Sequence, residues 1–365
     1  MKLAKLSPGR RQRRRLGLVL GALCTPLLLV LNSQSATAAM PAVVLPADEA
    51  AHPDSSMEWW YFTGHLQGID IFGKYHEYGF EHTVIRSDAR GTEPATADYN
   101  GQFAITDLTR KTFKQDITTV VTQADVVPAG GGYNYTVGLL HADGKNGVNH
   151  VSGKFADNSY AIDLTLSQST PSAQHGTGGV IPYGPWGESA YYSQTNLKAS
   201  GTVTDHGIPV FITGIGWQDH QWGDFNNGIG NWDWFSIQLT NNTQYMLYFI
   251  KDMYGQLVQV VGTKVNANGS TTNLAPTAIS ETPQGSWTSP DTGAVYPAKW
   301  TVNVPGGTLT VTPRLAGQEL FIPGIPQSSY WEGASTVTGT INGQSVSGKS
   351  YVELTPVHIM PTPFA

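Results

Sequence analysis

The stretch Glu58-Trp59-Trp60-Tyr61-Phe62-Thr63-Gly64-His65-Leu66 is repeated about half a chain later as Asn231-Trp232-Asp233-Trp234-Phe235-Ser236-Ile237-Gln238-Leu239. Alignment of the two copies matches Trp59 with Trp232, Tyr61 with Trp234 and Phe62 with Phe235. Aromatic residues at this density are typical of β-strands. The repeat therefore predicts two similar strands, one in each half of the chain.

A second pair of segments repeats in the same order. Tyr192…Ser200-Gly201-Thr202-Val203 corresponds to Tyr330…Thr338-Gly339-Thr340-Ile341. A polar turn and a short motif follow each segment: Gly214-x-x-Trp217-x-Asp219 in the first half and Gly348-x-x-Tyr351-x-Glu353 in the second. A period this long corresponds to a whole small domain and not to a solenoid repeat. We therefore predict two similar all-β modules, with a ligand pocket at the boundary between them.

The first 38 residues are predicted to be a secretory signal peptide. A basic head ends at Arg15, an apolar run covers 16–31, and Ala36-Thr37-Ala38 is a small-residue cleavage pattern. The alternative, a membrane anchor, is disfavoured because the run is shorter than the roughly 20 residues of a spanning helix. We expect a periplasmic or secreted protein with no stable membrane anchor after cleavage. The arginine-rich head leaves both the general and the twin-arginine export routes open.

The predicted mature chain is acidic and lacks cysteine. Residues 1–38 contain seven of the 21 Lys and Arg, none of the 27 Asp and Glu, and the single cysteine, Cys24. The remainder has 14 basic and 27 acidic residues, which gives a net charge of −13. Such a charge disfavours nucleic acid as a partner. Without disulfides the fold must depend on buried cores, for which 10 Trp, 16 Tyr and 12 Phe supply large apolar surfaces.

Strand-like segments follow one another along the chain, and helical periodicity is nearly absent. Most segments alternate apolar and polar residues, as half-buried antiparallel strands do. Turn sequences separate them, among them Asp143-Gly144, Asn268-Gly269 and Asn342-Gly343. This pattern favours barrels or sandwiches over a parallel α/β sheet. Because about 325 residues exceed one core, we predict domains at 39–210 and 211–365. Residues 169–186 and 266–297 are predicted to be irregular.

The densest group of reactive side chains lies in Trp217-Gln218-Asp219-His220-Gln221-Trp222. Alternation along a strand would point Trp217, Asp219 and Gln221 to one side and the other three residues to the opposite side. A buried Asp219 beside tryptophan would have a raised pKa, and a neutral carboxylic acid in an aromatic site can protonate an alkene. Tryptophan faces would stabilise the resulting cation, and His220 would orient or activate water. In the alternative interpretation, Asp219 and His220 are only the polar residues of a turn.

For the other candidate residues, a structural role explains the sequence better than a catalytic one. Glu58 and Asp233 are possible second acids, although strand-edge or capping roles suit them better. His82 lies on a predicted strand and would face the pocket of a barrel, or else be a hydrogen-bonded core histidine. The mature chain lacks cysteine and closely spaced histidine pairs, which argues against a metal site. It also lacks the Gly-x-Ser-x-Gly motif of serine hydrolases and a glycine-rich phosphate-binding loop. We therefore predict neither a metal nor a cofactor.

Seven motifs extend over nearly all of the mature chain: His52-Pro53 with Glu58–Gly64, Tyr191-Tyr192-Ser193 with Asn196-Leu197, Trp217–Gly223, Trp232–Ser236, Leu247-Tyr248, Tyr330–Gly333 and Tyr351–Leu354. Together they resemble the AttH-type lipocalin-like family that includes the bacterial carotenoid 1,2-hydratases. The resemblance implies two tandem lipocalin-like antiparallel β-barrel domains, with an apolar ligand site near their interface.

The resemblance also implies protonation of a terminal isoprenoid double bond by an aspartate. His220 and Trp222 match the His-x-Trp element of the family and Tyr248 matches its tyrosine, but Phe249 follows where the aspartate would stand. We therefore assign the acid to Asp219. The predicted catalytic residues are Asp219, His220 and Tyr248, and the predicted ligand-binding residues are Trp59, Tyr61, His82, Trp217, Trp222 and Trp234.

Three functions are compatible with this site. The first is a cofactor-independent hydratase for an apolar isoprenoid or polyene. The second is a non-catalytic periplasmic carrier of a small hydrophobic ligand or lipid, and the third is a pericyclase-like enzyme. A raised pKa of Asp219 in a closed cavity would favour the hydratase, whereas a wholly apolar cavity with Asp219 in solvent would favour the carrier.

Overall fold

The computed structural model describes residues 40–88, 96–225 and 230–356. The predicted signal peptide lies outside the described residues, and the chain from Met40 onward belongs to one compact unit. Three short 3₁₀ helices are described, at Ala47–Glu49, Gly184–Trp186 and Pro276–Ala278. Within the described ranges, no helix has both the length and the apolar character needed to span a membrane.

Twelve strands form the first sheet: β1 (Met57–Asp70), β2 (Tyr75–Asp88), β3 (Thr96–Asp107), β4 (Thr112–Ala124), β5 (Tyr133–Val137), β6 (Leu140–Lys145), β7 (Val148–Lys154), β8 (Tyr160–Gln168), β9 (Ala173–Gln174), β10 (Val180–Pro182), β11 (Glu188–Asp205) and β12 (Ile208–Gly223). Their order is β4-β3-β2-β1-β12-β11-β8-β7-β6-β5, and β9 and β10 also pair with β11. The predicted irregular region at 169–186 thus contains two short strands.

The remaining strands lie in the second half: β13 (Asn231–Leu239), β14 (Gln244–Lys251), β15 (Leu257–Val265), β16 (Thr271–Asn273), β17 (Ser280–Gln284), β18 (Trp287–Thr288), β19 (Val295–Tyr296), β20 (Lys299–Val304), β21 (Gly307–Pro313), β22 (Glu319–Ile322), β23 (Ile325–Ile341) and β24 (Gln344–Leu354). Ten of them form the second sheet in the order β16-β15-β14-β13-β24-β23-β21-β20-β17, with β22 beside β23. β18 and β19 form a separate pair. The predicted all-β, antiparallel fold class is confirmed.

The two sheets repeat one topology. In each, the aromatic strand (β1 or β13) lies between the strand that follows it and the last strand of its half (β12 or β24). The cross-strand pairs are also equivalent, because Tyr61 is opposite Asp219 in the first sheet and Trp234 is opposite Glu353 in the second. The sequence repeat therefore corresponds to a repeat in the structure.

Two glycines show how closely the strands pack. A Cβ atom at Gly64, within the first aromatic stretch, would lie 2.5 Å from the Ile215 carbonyl oxygen and 2.6 Å from the Phe80 ring. A Cβ at Gly79 of β2 would lie 2.7 Å from the Tyr351 hydroxyl, which belongs to the second sheet. Side chains larger than hydrogen therefore cannot fit between the two sheets at position 79 without displacing their neighbours.

Each sheet has its own apolar core, and a third cluster lies between them. The first core includes Trp60, Phe62, Phe80 and Phe103, and the second includes Phe235, Phe249, Trp300 and Trp331. The third cluster contains Tyr61, Tyr183, Tyr191, Trp217, Trp234 and Tyr248. Burying each aromatic side chain contributes about 2–3 kcal/mol. Because the third cluster takes residues from both halves, the two sheets are held together by apolar packing.

Polar contacts also join the sheets. The Arg314 guanidinium donates to both carboxylate oxygens of Glu77 at 2.8 Å, a bidentate ion pair.

The chain passes from the first sheet to the second between Gly223 and Asn231, and the predicted domain boundary at 210/211 lies inside β12. The division into two domains stays a prediction.

Candidate active site

A cavity lies where the two sheets meet. Equivalent positions of the two copies line it, namely Trp59 and Trp232, Tyr61 and Trp234, and Asp219 and Glu353. Its other lining residues are Glu81, Thr83, Ile85, Gln102, Tyr183, Tyr191, Gln221, Tyr248, Tyr330 and Glu332. The duplication therefore supplies both walls of one cavity.

Asp219 lies on β12 between Tyr61 of β1 and Ser193 of β11, and it is only 4% exposed. Its Oδ1 accepts hydrogen bonds from the Trp217 indole at 2.6 Å and from the Ser193 hydroxyl. Its Oδ2 accepts one from the Tyr191 hydroxyl at 2.7 Å. Burial raises the pKa of Asp219 to about 7, although the three donors act to lower it. Because two donors occupy Oδ1, the proton of the neutral acid belongs on Oδ2.

A hydrogen-bonded chain extends from Asp219 away from the cavity. The Ser193 hydroxyl lies 2.7 Å from His175 Nε2, and His175 Nδ1 lies 2.9 Å from the Thr263 hydroxyl. His175 is fully buried, and burial lowers its pKa to about 3, so its ring is neutral. With the hydrogen assigned to Nε2 from this network, His175 donates to Ser193, which in turn donates to Asp219. His175 therefore orients one of the three donors to the acid.

Three more carboxyl groups share the cavity, and an aromatic residue contacts each: Trp232 donates to Glu353 at 2.9 Å, Tyr61 donates to Glu332 at 2.8 Å, and the Tyr330 hydroxyl lies 3.0 Å from Glu81. Burial raises the pKa of Glu81 to about 7 and that of Glu353 to about 8. Burial, with the charges of Glu353 and Glu81, raises the pKa of Glu332 well above its ordinary value. The cavity therefore holds several carboxyl groups that stay protonated near neutral pH.

The aromatic walls of the cavity are fixed by ring packing and hydrogen bonds. The Trp234 ring meets Tyr61 edge-on with centroids 5.2 Å apart, and its indole donates to the Tyr191 hydroxyl at 3.0 Å. The hydroxyls of Tyr183 and Tyr248 lie 2.6 Å apart. These contacts hold the rings in place before any ligand enters.

A model of the AttH-like family matches residues 36–356. The chain belongs to the AttH-like family. Kievitone hydratase from Fusarium solani subsp. phaseoli is 24% identical over 244 residues, which are 60% of this chain and 67% of that protein. The family resemblance predicted from the motifs is thus confirmed, and the family includes a hydratase.

Two solved structures are similar to this AttH-like chain. An AttH protein from Nitrosomonas europaea is 26% identical and superposes with a TM-score of 0.74, covering 86% of this chain and 97% of its own. Kievitone hydratase from Nectria haematococca is 18% identical, with a TM-score of 0.70 and coverage of 87% and 94%. The second likeness establishes a shared fold only.

The structure of the AttH-like chain brings most of the predicted site residues together. Asp219, Tyr248, Trp59, Tyr61 and Trp234 line the cavity. Trp217 lies directly behind the acid and donates to it. Their predicted catalytic or binding roles stay predictions, but their positions allow those roles.

Three predicted site residues lie elsewhere. His220 faces the opposite side of β12, where its Nε2 lies 2.7 Å from Glu58 Oε1. Trp222 lies on the same side and stacks on the His52 ring. His82 lies in the first sheet with its Nε2 3.2 Å from the Ser152 carbonyl. Neighbouring residues of a strand face opposite ways, so His220 cannot share the cavity with Asp219, nor His82 with Glu81.

Glu58 and His220 form a buried polar pair on that opposite side. Burial raises the pKa of Glu58, but hydrogen bonds from His220 and His52 outweigh this effect and leave its pKa below the ordinary value. Burial lowers the pKa of His220. Glu58 is therefore ionised, and it is surrounded by imidazole donors and not by solvent.

Sequence reasoning missed the other three carboxyls of the cavity and the hydrogen-bonded chain behind Asp219. A signal for Glu353 was present, because the repeated motif aligns it with Asp219. Glu332 lies in the motif Tyr330–Gly333, but no local pattern predicts that it, Glu81 or His175 lies at the cavity, because their partners are distant in the sequence.

Proposed function

We propose that this protein is a cofactor-independent hydratase that adds water to a carbon–carbon double bond of a small apolar compound. The observation that carries the proposal is Asp219, a buried carboxyl group whose pKa is raised to about 7 in an aromatic cavity. A general acid with a pKa near the working pH combines the required protonation state with a useful acidity. The similarity to kievitone hydratase supports the same reaction class.

The reaction begins with proton transfer from Asp219 Oδ2 to one alkene carbon. The other alkene carbon becomes a cation, which the faces of Trp59, Trp232 and Trp234 stabilise. A water oxygen then bonds to the cation and releases one proton to the Asp219 carboxylate. One proton leaves Asp219 and one returns, so the enzyme ends as it began and the substrate gains one water.

The acidic lining favours this enzyme over a carrier. A carrier of a wholly apolar ligand has no use for four buried carboxyl groups, because their desolvation is unfavourable. An isoprenoid or polyene substrate suits the aromatic walls, and we propose this class of substrate. A pericyclase would use the same walls but would incorporate no water.

Mass spectrometry of organic extracts and reaction products tests the proposal. Wild-type protein incubated with prenylated or polyene alkenes in oxygen-labelled water should yield products that carry one labelled hydroxyl group. Extracts of the Asp219→Asn variant should contain the unsaturated compound alone. If wild type and variant release the same unmodified molecule, the protein is a carrier. If the compound is rearranged without label, it is a pericyclase.

Replacing Ser193 with alanine should move the alkaline limb of the pH–rate profile upward by about one pH unit. The Ser193 hydroxyl lowers the pKa of Asp219, so its loss raises that pKa further and keeps the acid protonated to higher pH. The rate should be measured across pH 5–10, with Ser345→Ala, an exposed serine of β24, as the control. An alkaline limb that stays in place or moves down would show that Asp219 is not the titrating acid.

Export is also part of the proposal, on the basis of the N-terminal sequence pattern. Expression in a bacterial host and fractionation should yield a mature chain in the periplasm or medium that begins at residue 39. N-terminal sequencing of the protein in each fraction shows whether residues 1–38 have been removed. Full-length protein confined to the cytoplasm, with residues 1–38 retained, would contradict export.

A further inference from the structure

A second group of ligand-type side chains lies on the face of β12 that points away from the cavity. His220 and Glu58 are fully buried there, while the His52 side chain is 20% exposed. Glu58 Oε1 lies 2.7 Å from His220 Nε2 and 3.0 Å from His52 Nδ1. The three ligand atoms all lie within 4.8 Å of one another. Two imidazoles and a carboxylate thus converge on one point near the surface.

We propose that His52, Glu58 and His220 bind one divalent transition-metal ion, with zinc as the best-suited ion. Two histidines and one glutamate form a known donor set for zinc, in which the fourth position is left to water or another ligand. Tetrahedral zinc with bonds of about 2.0–2.1 Å needs ligand atoms roughly 3.3 Å apart. The two contacts of Glu58 need to lengthen only slightly, and the two imidazole nitrogens need to approach by at most about 1.5 Å.

Contacts around the three residues match those of metal ligands. A metal-binding histidine usually has a polar partner on its other ring nitrogen. His52 Nε2 lies 3.6 Å from Asp48 Oδ1, and His220 Nδ1 lies 3.2 Å from the Tyr192 hydroxyl. Both outer nitrogens therefore have such a partner already. The backbone N–H of His52 holds the second oxygen of Glu58 at 2.9 Å.

Ring stacking fixes the two imidazoles. The His52 ring stacks on Trp222 with centroids 3.8 Å apart and an interplanar angle of 3°. The His220 ring stacks on Trp60 with centroids 5.1 Å apart and an angle of 21°. Rings held in this way lose little freedom when they bind a metal, which favours affinity. Of the three side chains only His52 is partly exposed, so we expect the ion to enter from its side.

The proposed metal site is separate from the proposed hydration chemistry. His220 and Asp219 are neighbours on one strand, so their side chains point to opposite faces. The ion would connect the segment before β1, through His52, with the last strand of the first half. We therefore expect the ion to raise the thermal unfolding midpoint, because it binds the folded chain and not the unfolded one. Failure of this inference would leave the hydratase proposal untouched.

Metal titration of the purified full-length protein tests the inference. After chelator treatment and dialysis, Co²⁺ should bind at one ion per chain and give the absorption bands of tetrahedral coordination, and Zn²⁺ should displace it. His52→Ala should weaken binding by roughly 100-fold or more. Because His52 is the one partly exposed ligand, this variant leaves the fully buried pair of Glu58 and His220 in place. The matched control is His150→Ala, an exposed histidine on β7.

Two results would overturn the inference. One is a wild-type protein that binds no Co²⁺ at up to millimolar concentration, which would identify the three residues as a hydrogen-bonded group only. The other is His52→Ala protein that binds Co²⁺ as tightly as wild type and the His150→Ala control. As a second variant, Glu58→Gln keeps the shape of the side chain, and it should lose the absorption bands while retaining the circular dichroism of the folded protein.

Discussion

The Asp219→Asn variant should hydrate its substrate 10²–10⁴-fold more slowly than wild type, the range that general acids contribute. Asparagine has nearly the same shape as aspartic acid, but it has no acidic proton to give to the alkene. Its amide oxygen can still accept from the Trp217 indole and the Ser193 hydroxyl. The loss should therefore fall on kcat, which single-turnover measurement of product formation will show.

Ligand binding should survive the same substitution. The aromatic walls supply most of the contact surface, so the dissociation constant of the unsaturated compound should change by less than about 5-fold, or 1 kcal/mol. Quenching of tryptophan fluorescence measures it directly. Asp163→Asn, an exposed aspartate of β8, is the control and should match wild type in both assays. A variant at Asp219 that turns over at the wild-type rate would exclude this carboxyl as the acid.

The internal repeat predicts the fold and also part of the candidate site. The alignment of Asp219 with Glu353 was visible in the motifs, and the structure places both carboxyls in one cavity. Equivalent residues of a duplicated fold occupy equivalent positions, so an acid in one copy indicates the matching position in the other. The repeated motif therefore predicts a pair of acids, Asp219 and Glu353.

Strand alternation explains the residues assigned to the wrong side. The sequence pattern separates Asp219 from His220, and the same rule separates Glu81 from His82. Assigning both Asp219 and His220 to one pocket contradicts that rule. In each pair the structure puts the carboxyl in the cavity and the histidine on the other face. Alternation predicts this division as soon as one member of the pair is placed.

Contacts between distant segments were beyond sequence reasoning. The hydroxyl of Tyr61 reaches Glu332, which is 271 residues later, and His175 reaches Thr263, 88 residues later. Local patterns predict strands and turns, because those depend on neighbouring residues. The position of one sheet against the other depends on how two large aromatic surfaces fit. No single sequence displays that fit.

The free energy of unfolding should fall as pH rises from about 6.5 to 8. Burial raises the pKa of Glu353 to about 8, so in this interval the folded protein keeps a proton that the unfolded chain has released. Unfolding then releases protons, and higher pH favours it by about 1.4 kcal/mol per pH unit for each such proton. Glu281, with a pKa raised to about 8, and Glu332 act in the same direction. At roughly 1.5–2 kcal/mol for each of the three carboxyls, their combined loss should be about 5 kcal/mol.

Below this pH interval, buried histidines change the free energy of unfolding in the opposite direction. Burial lowers the pKa of His65 and His175 to about 3 and that of His82 to about 4. Between those values and about 6.5 the unfolded chain binds protons that the folded protein does not, so stability there rises with pH. At pH 6.5 the unfolded histidines are still half protonated, so their opposing effect fades over about one further pH unit, and above about pH 7.5 the carboxyls determine the slope.

Glu353→Gln isolates the contribution of one carboxyl. Glutamine keeps an oxygen for the Trp232 indole but does not titrate, so the pH-dependent loss between 6.5 and 8 should shrink by about 2 kcal/mol. Urea unfolding at half-unit pH steps measures the slope for wild type, Glu353→Gln and the exposed control Glu188→Gln, which should follow wild type. A Glu353→Gln slope parallel to that of wild type would mean that Glu353 titrates as it does in the unfolded chain. The cavity would then be open to water, and the argument for a neutral acid inside it would fail with it.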